Sequence, residues 1–147
     1  MQIKIKKVHP DAVIPKFATN GAACFDLHAV DCGDGAPIFA GSALTIRTGL
    51  AFEIPPGNVM LIFSRSGHGF NNDVSLSNAV GVIDSDYRGE VHVKLRNDSG
   101  LGAVFRAHPG DRIAQALILP LPHIQLVESM DLSDTERGAG GFGSTGS

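Results

Sequence analysis

Residues 78–97, NAVGVIDSDYRGEVHVKLRN, decide how the rest of the chain is read. Two apolar runs, Val80 to Ile83 and Val91 to Leu95, flank a polar tip, Asp84-Ser85-Asp86-Tyr87-Arg88-Gly89. In the second run Val91, Val93 and Leu95 share one side, and His92 and Lys94 share the other. A period of two bounded by turn residues predicts two strands joined as a β-hairpin. A plain turn needs only one Asp and one Gly. This tip carries two carboxylates, an arginine and the single tyrosine of the chain.

At 147 residues the chain is long enough to bury one sizeable core. Hydrophobic residues make up 43% but aromatics only 6%, with no tryptophan, so that core must be built from Val, Ile, Leu and Ala. A net charge of −3 argues against a nucleic-acid partner held by a broad basic face. No run of about eighteen apolar residues and no charged-then-apolar leader is visible, so the expectation is a soluble, cytoplasmic protein without a membrane association. In such a reducing compartment Cys24 and Cys32 are expected to be free thiols.

The remaining segments repeat the strand signal. Residues 2–8, QIKIKKV, alternate, and Pro10 and Pro15 then break the backbone. Residues 20–29, NGAACFDLHA, are apolar around a single Asp26, which either faces water at a strand end or needs a buried partner. Over 42–54, Leu44, Ile46, Leu50, Phe52 and Ile54 share one face, interrupted at Thr48 and ended by the turn Pro55-Pro56-Gly57-Asn58. Val59 to Phe63 reads as a strand covered on both sides, and 113–119 and 123–127 as two further strands. No apolar pattern of helical period persists, so one helical turn around Ser66 to Phe70 is the most expected. Many short strands punctuated by Gly and Pro predict an all-β fold, a β-sandwich or distorted jelly roll. Residues 1–136 form that domain; residues 137–147, with five glycines and Phe142, read as a flexible tail.

Several motif matches fail on context. Residues 138–143, GAGGFG, satisfy a dinucleotide fingerprint but have no helix to open, because the sequence stops four residues later. The six histidines are scattered singly, unlike a zinc site. The polar residues at strand ends are more informative. Arg65, Ser66 and Gly67 offer a guanidinium, a hydroxyl and an open N–H to phosphate oxygens. Gln115 interrupts an apolar strand, and the tail adds Arg137, Ser144 and Thr145. Two phosphate-cradling segments with acidic residues nearby suggest a polyphosphate bound with a divalent cation.

In this order the segments resemble the trimeric all-β family of deoxyuridine triphosphate nucleotidohydrolases, the dUTPases, along nearly the whole chain. AACFDLHA (22–29), SRSGHG (64–69), NAVGVIDSDYRGE (78–90), GDRIAQ (110–115) and RGAGGFGSTG (137–146) are similar to its five motifs. Ser64 departs from a usual proline, Cys24-Phe25 from a smaller pair, and residues 70–73 are unusual. The resemblance implies hydrolysis of dUTP to dUMP and diphosphate by water attack on the α-phosphorus, which limits uracil in DNA and supplies dUMP. It implies Asp84 as general base, since carboxylates are ionised near neutral pH. Asp26 would hold Mg2+ through water, and Arg65, Ser66, Gly67, Gln115, Arg137, Gly143 and Ser144 would bind the triphosphate. Uracil would be read by Asn78, by backbone groups of Gly81, Val82 and Ile83, and by the return strand at His92. Tyr87 would pack on the deoxyribose and Phe142 would close over the base. The family builds each site from three subunits of a homotrimer. A dCTP deaminase of the same fold is the alternative, although its chain is typically longer and lacks such a tail.

Overall fold

The computed structural model describes residues 1–142 and 144. Ten strands and one short helix account for its regular structure among the described residues. One antiparallel sheet joins β1 (Lys4–Lys7), β4 (Ala43–Glu53), β8 (Glu90–Asn97) and β6 (Val74–Leu76), in that order. A second joins β2 (Phe25–His28), β10 (Arg112–Pro120), β5 (Asn58–Phe63) and β7 (Val80–Ile83). A small third sheet pairs β3 (Ala36–Phe39) with β9 (Val104–Ala107). The helix, α1 (Ser66–Asn72), follows β5 and extends the expected turn by two residues, ending where Asp73 turns left-handed at φ 51°.

All three sheets feed one core. Leu50, Val93 and Leu95 from the first sheet meet Leu27, Met60 and Ile113 from the second and Ile38 from the third. Each such side chain contributes about 1.5–3 kcal/mol on leaving water. The two polar side chains buried with them are satisfied: Thr48 donates to the Val91 carbonyl at 2.7 Å, and Asn97 donates to the Ile38 carbonyl at 2.8 Å. The expected all-β class and shared core are therefore present, and both cysteines are free.

Two strand readings need correction. β7 and β8 do not pair as a hairpin. β7 is the edge strand of the second sheet and bonds only β5, with Met60 opposite Ile83 and Phe63 opposite Val80. β8 lies between β4 and β6 in the first sheet. A two-residue turn would lock a hairpin ladder, whereas the six-residue tip Asp84–Gly89 lets the strands diverge. Core burial then decides: Val91, Val93 and Leu95 are drawn inward on β8, while Val80 and Val82 of β7 remain exposed. The second correction is at 123–127, which forms no strand. Ile124, Leu126 and Val127 are exposed, and among the described residues no sheet edge receives them. A strand without a partner has no ladder to stabilise it.

Candidate active site

Asp26 sits in β2, opposite Gln115 of β10. Ala114 and Ala116 point into the core, so the alternation of β10 places Gln115 on the other face. There its Nε2 donates to the Ser64 carbonyl at 2.9 Å, just where the chain leaves β5. Arg65 follows with extended backbone, and its Nε donates to Asp26 Oδ1 at 2.9 Å. Arg112 Nη1 reaches Asp26 Oδ2 at 3.5 Å. The lone aspartate of the 20–29 segment is thus paired, which answers the cost of placing it in an apolar run. A cleft of about 380 Å³ lies over Arg65, Ser66 and Gln115. A Cβ at Gly67 would meet nothing within 4 Å, so the backbone there is open to an approaching anion. Ser64 explains its own departure from proline, because its Oγ accepts the Leu76 N–H at 2.8 Å.

The second cluster follows from the divergence of β7 and β8. β6 covers β8 only from Leu95 onward, so the β8 edge at His92 is left facing the bare edge of β7. Between them is a cleft of about 430 Å³ walled by Asn78, Gly81, Val82, Ile83 and His92. A side chain at Gly81 would press on Ile62, whose Cβ would lie 3.1 Å away, so at this position the cleft meets backbone alone. At the tip a further space of about 290 Å³ is lined by Asp84, Tyr87, Glu90 and His92. The Tyr87 phenol donates to the Glu90 carbonyl at 3.0 Å, and the Tyr87 N–H to the Asp84 carbonyl at 3.2 Å. Asp84 is exposed at this mouth.

The two clusters are separate in one chain: no residue lines both the Arg65 cleft and the Asp84 cleft. The described residues of the tail join neither by hydrogen bonds. Arg137 Nε donates to the Gly140 carbonyl at 2.8 Å, and the Ser144 N–H to the Gly141 carbonyl at 3.0 Å. Phe142 is fully exposed. Gly143 lies outside the described residues. Two participants escaped the sequence reading. Arg112 is the second cation on Asp26, and its signal was its place beside Gln115 in GDRIAQ. Glu90 was hidden because its carboxylate partners, Arg47 and Gly49, lie more than forty positions away, signalled only by the broken alternation at Thr48.

Fold and site together define an all-β protein with an arginine–carboxylate cluster on one sheet and a slot between the edges of two sheets. The chain belongs to the dUTPase family, whose model matches residues 11–146 and so spans every candidate site residue. A deoxyuridine 5'-triphosphate nucleotidohydrolase of Nautilia profundicola is 47% identical over 146 residues, covering 99% of both chains. Among solved structures, a Staphylococcus bacteriophage 80alpha dUTPase with dUpNHpp shares the fold at TM-score 0.90 and 24% identity, covering 99% of both chains. A dUTPase from phage phi11 of S. aureus, described with a structural Mg(II) ion, aligns at TM-score 0.81 and 18% identity over 91% of this chain and 100% of that one.

Proposed function

We propose that this protein hydrolyses dUTP to dUMP and diphosphate, and that dCTP deamination is not its activity. Asp84 and Tyr87 at the mouth of a slot between two sheet edges carry this reading. A planar base with polar edges fits between the unpaired edges of β7 and β8, where Asn78 and the backbone of Gly81, Val82 and Ile83 present both donors and acceptors. Asp84 takes a proton from water as the oxygen bonds to the α-phosphorus; the bond to the bridging oxygen breaks and diphosphate departs.

Arg65, Ser66, Gly67 and Gln115 receive the phosphates. Among the described residues no three acidic, histidine or cysteine side chains gather into a cage for a metal. Asp26 offers a single carboxylate, which fits Mg2+ held mainly by phosphate oxygens and water; Arg65 and Arg112 beside it are cations that supply no metal ligand. When bound, the ion neutralises charge on the triphosphate.

The assembly we propose is a homotrimer in which a site draws on three chains. Support comes from the separation of the Arg65 cluster, the Asp84 cleft and the tail within one chain. Leu126, Met130 and Leu132 are also almost fully exposed, an apolar arm in need of cover. The tail of a neighbouring chain would bring Arg137, Ser144 and Gly143 to the phosphates and Phe142 onto the base. The proposed location is cytoplasmic; among the described residues no helix is long and apolar enough to cross a membrane. Diphosphate release from a panel of deoxynucleoside triphosphates, with and without magnesium, tests the activity. Release from dUTP alone is expected, and equal turnover of dCTP or dTTP would overturn the assignment.

A further inference from the structure

Glu90 opens β8, and its two ends act on different partners. Its carbonyl accepts the Tyr87 phenol at 3.0 Å and lies 3.1 Å from His92 Nδ1. Its carboxylate, only 14% exposed, takes Arg47 Nη2 at 3.0 Å, Arg47 Nε at 3.2 Å on both oxygens, and the Gly49 N–H at 2.8 Å. Asp31 holds the far side of Arg47 at 3.2 Å. The geometry depends on a bulge in β4: Arg47 faces His92 but Ala51 faces Glu90, so the strand carries two extra residues there. Gly49 adopts φ +68° in that bulge, and a Cβ would run into His9 and Ala12 at 2.7 and 2.8 Å. Its N–H is thereby turned out of the ladder and onto the carboxylate.

An ion pair between β4 and β8 adds little pairing, because the two strands already share a ladder from Ala43 to Arg47. What the four-fold grip does is immobilise the peptide on which the Tyr87 phenol hangs. We infer that Glu90 is a positioning residue for Tyr87: its carboxylate, clamped by Arg47 and Gly49, fixes the carbonyl that sets the ring against the sugar, and so sustains the preference for deoxyribose. The inference rests on the proposed contact of Tyr87 with the nucleoside.

The chain has one tyrosine and no tryptophan, so its intrinsic emission reports Tyr87 alone. Glu90→Gln keeps the size of the side chain and an acceptor for Gly49 but drops the charge that holds Arg47. Arg47→Gln releases the same pair from a half-exposed position and keeps the experiment decisive if the first variant folds poorly. In ligand-free protein, acrylamide quenching of the Tyr87 emission should rise in both variants. The ratio of kcat/KM for dUTP over UTP should fall by about tenfold, the low end of the discrimination an unpaired 2′-hydroxyl against a fixed Tyr87 ring would supply. That ratio is insensitive to the fraction of folded protein, so loss of stability alone would not move it. Quenching unchanged from wild type in both variants would make Glu90 a plain staple and overturn the inference. Wild-type protein that releases no diphosphate from dUTP would instead sink the substrate reading, while the quenching still decides what holds Tyr87.

Discussion

The Asp26 carboxylate and the Arg65 guanidinium, 39 residues apart in sequence, meet at 2.9 Å with 17% and 22% of their side chains exposed. A pair so shielded keeps the guanidinium in one orientation before any phosphate arrives, which lowers the ordering cost of binding. It also ties the proposed metal-facing residue to a proposed phosphate-binding guanidinium, so a change at either is felt by both.

Asp26→Asn should therefore raise the magnesium concentration needed for half-maximal activity. It should also cost about 1–2 kcal/mol of stability, less than a fully buried pair, since Arg65 can turn partly to water. A magnesium titration and a thermal melt on the same sample check both expectations.

Asp84 is exposed, so Asp84→Asn should leave the melting temperature unchanged. Turnover of dUTP should drop by about 10²–10⁴-fold, the usual contribution of a general base. Retention of more than about a tenth of the activity would move the base elsewhere, with Asp86 the first alternative.

Gly89 lets the Tyr87 ring fold across the tip: an added Cβ would strike the phenol, with the ring Cζ only 2.6 Å away. Gly89→Ala should displace the ring and narrow the preference for dUTP over UTP, as Tyr87→Ala should. Relieving the burial of an unpaired 2′-hydroxyl should lower that preference by about ten- to a hundredfold. An unaltered ratio in both variants would place sugar discrimination away from Tyr87.

Removing residues from Arg137 onward should abolish most activity and leave the melt nearly unchanged. The hydrogen bonds of Arg137 and Ser144 stay within the tail, and Phe142 is not buried. The milder Phe142→Ala should cost about 1–3 kcal/mol in kcat/KM if the ring stacks on the base.

Burial pushes the Glu90 carboxyl up, but the Arg47 hydrogen bonds, the Gly49 N–H and the charges of Arg47 and His92 pull it further down. Its folded value lies below the ordinary one, so its stabilisation is present above the usual carboxylate range and fades as pH falls through the lowered value. Melting temperatures of wild type should decline on acidification more steeply than those of Glu90→Gln.

Strand identity was legible because Val91, Val93 and Leu95 alternate without interruption, and the core they enter confirms it. Strand partners were less so. Val80–Ile83 and Val91–Leu95 look like neighbours in sequence, yet which sheet each joins depends on β5 and β4, which no local pattern names. Residues 123–127 have strand composition but meet no sheet edge among the described residues. The same distinction holds at the site. That Asp26 would need a partner if it were buried followed from desolvation; that it is shielded rather than facing water, and that Arg112 is one of its partners, did not. Glu90 was invisible because its role depends on a bulge, a backbone event that Thr48 only hinted at.

The placement of β7 and β8 in different sheets has a consequence for how this slot could change. A hairpin groove has its width dictated by hydrogen-bond length, which side chains cannot alter. Here the opening is a separation between layers, and its gauge is inherited from what fills the interior, with the buried Ile62 of β5 paired beside Gly81 of β7. Under the proposed assignment, selectivity for ring size becomes a mechanical property of the packing. A methylene gained or lost at Ile62 would reset the aperture while every polar group that reads the base stayed in place.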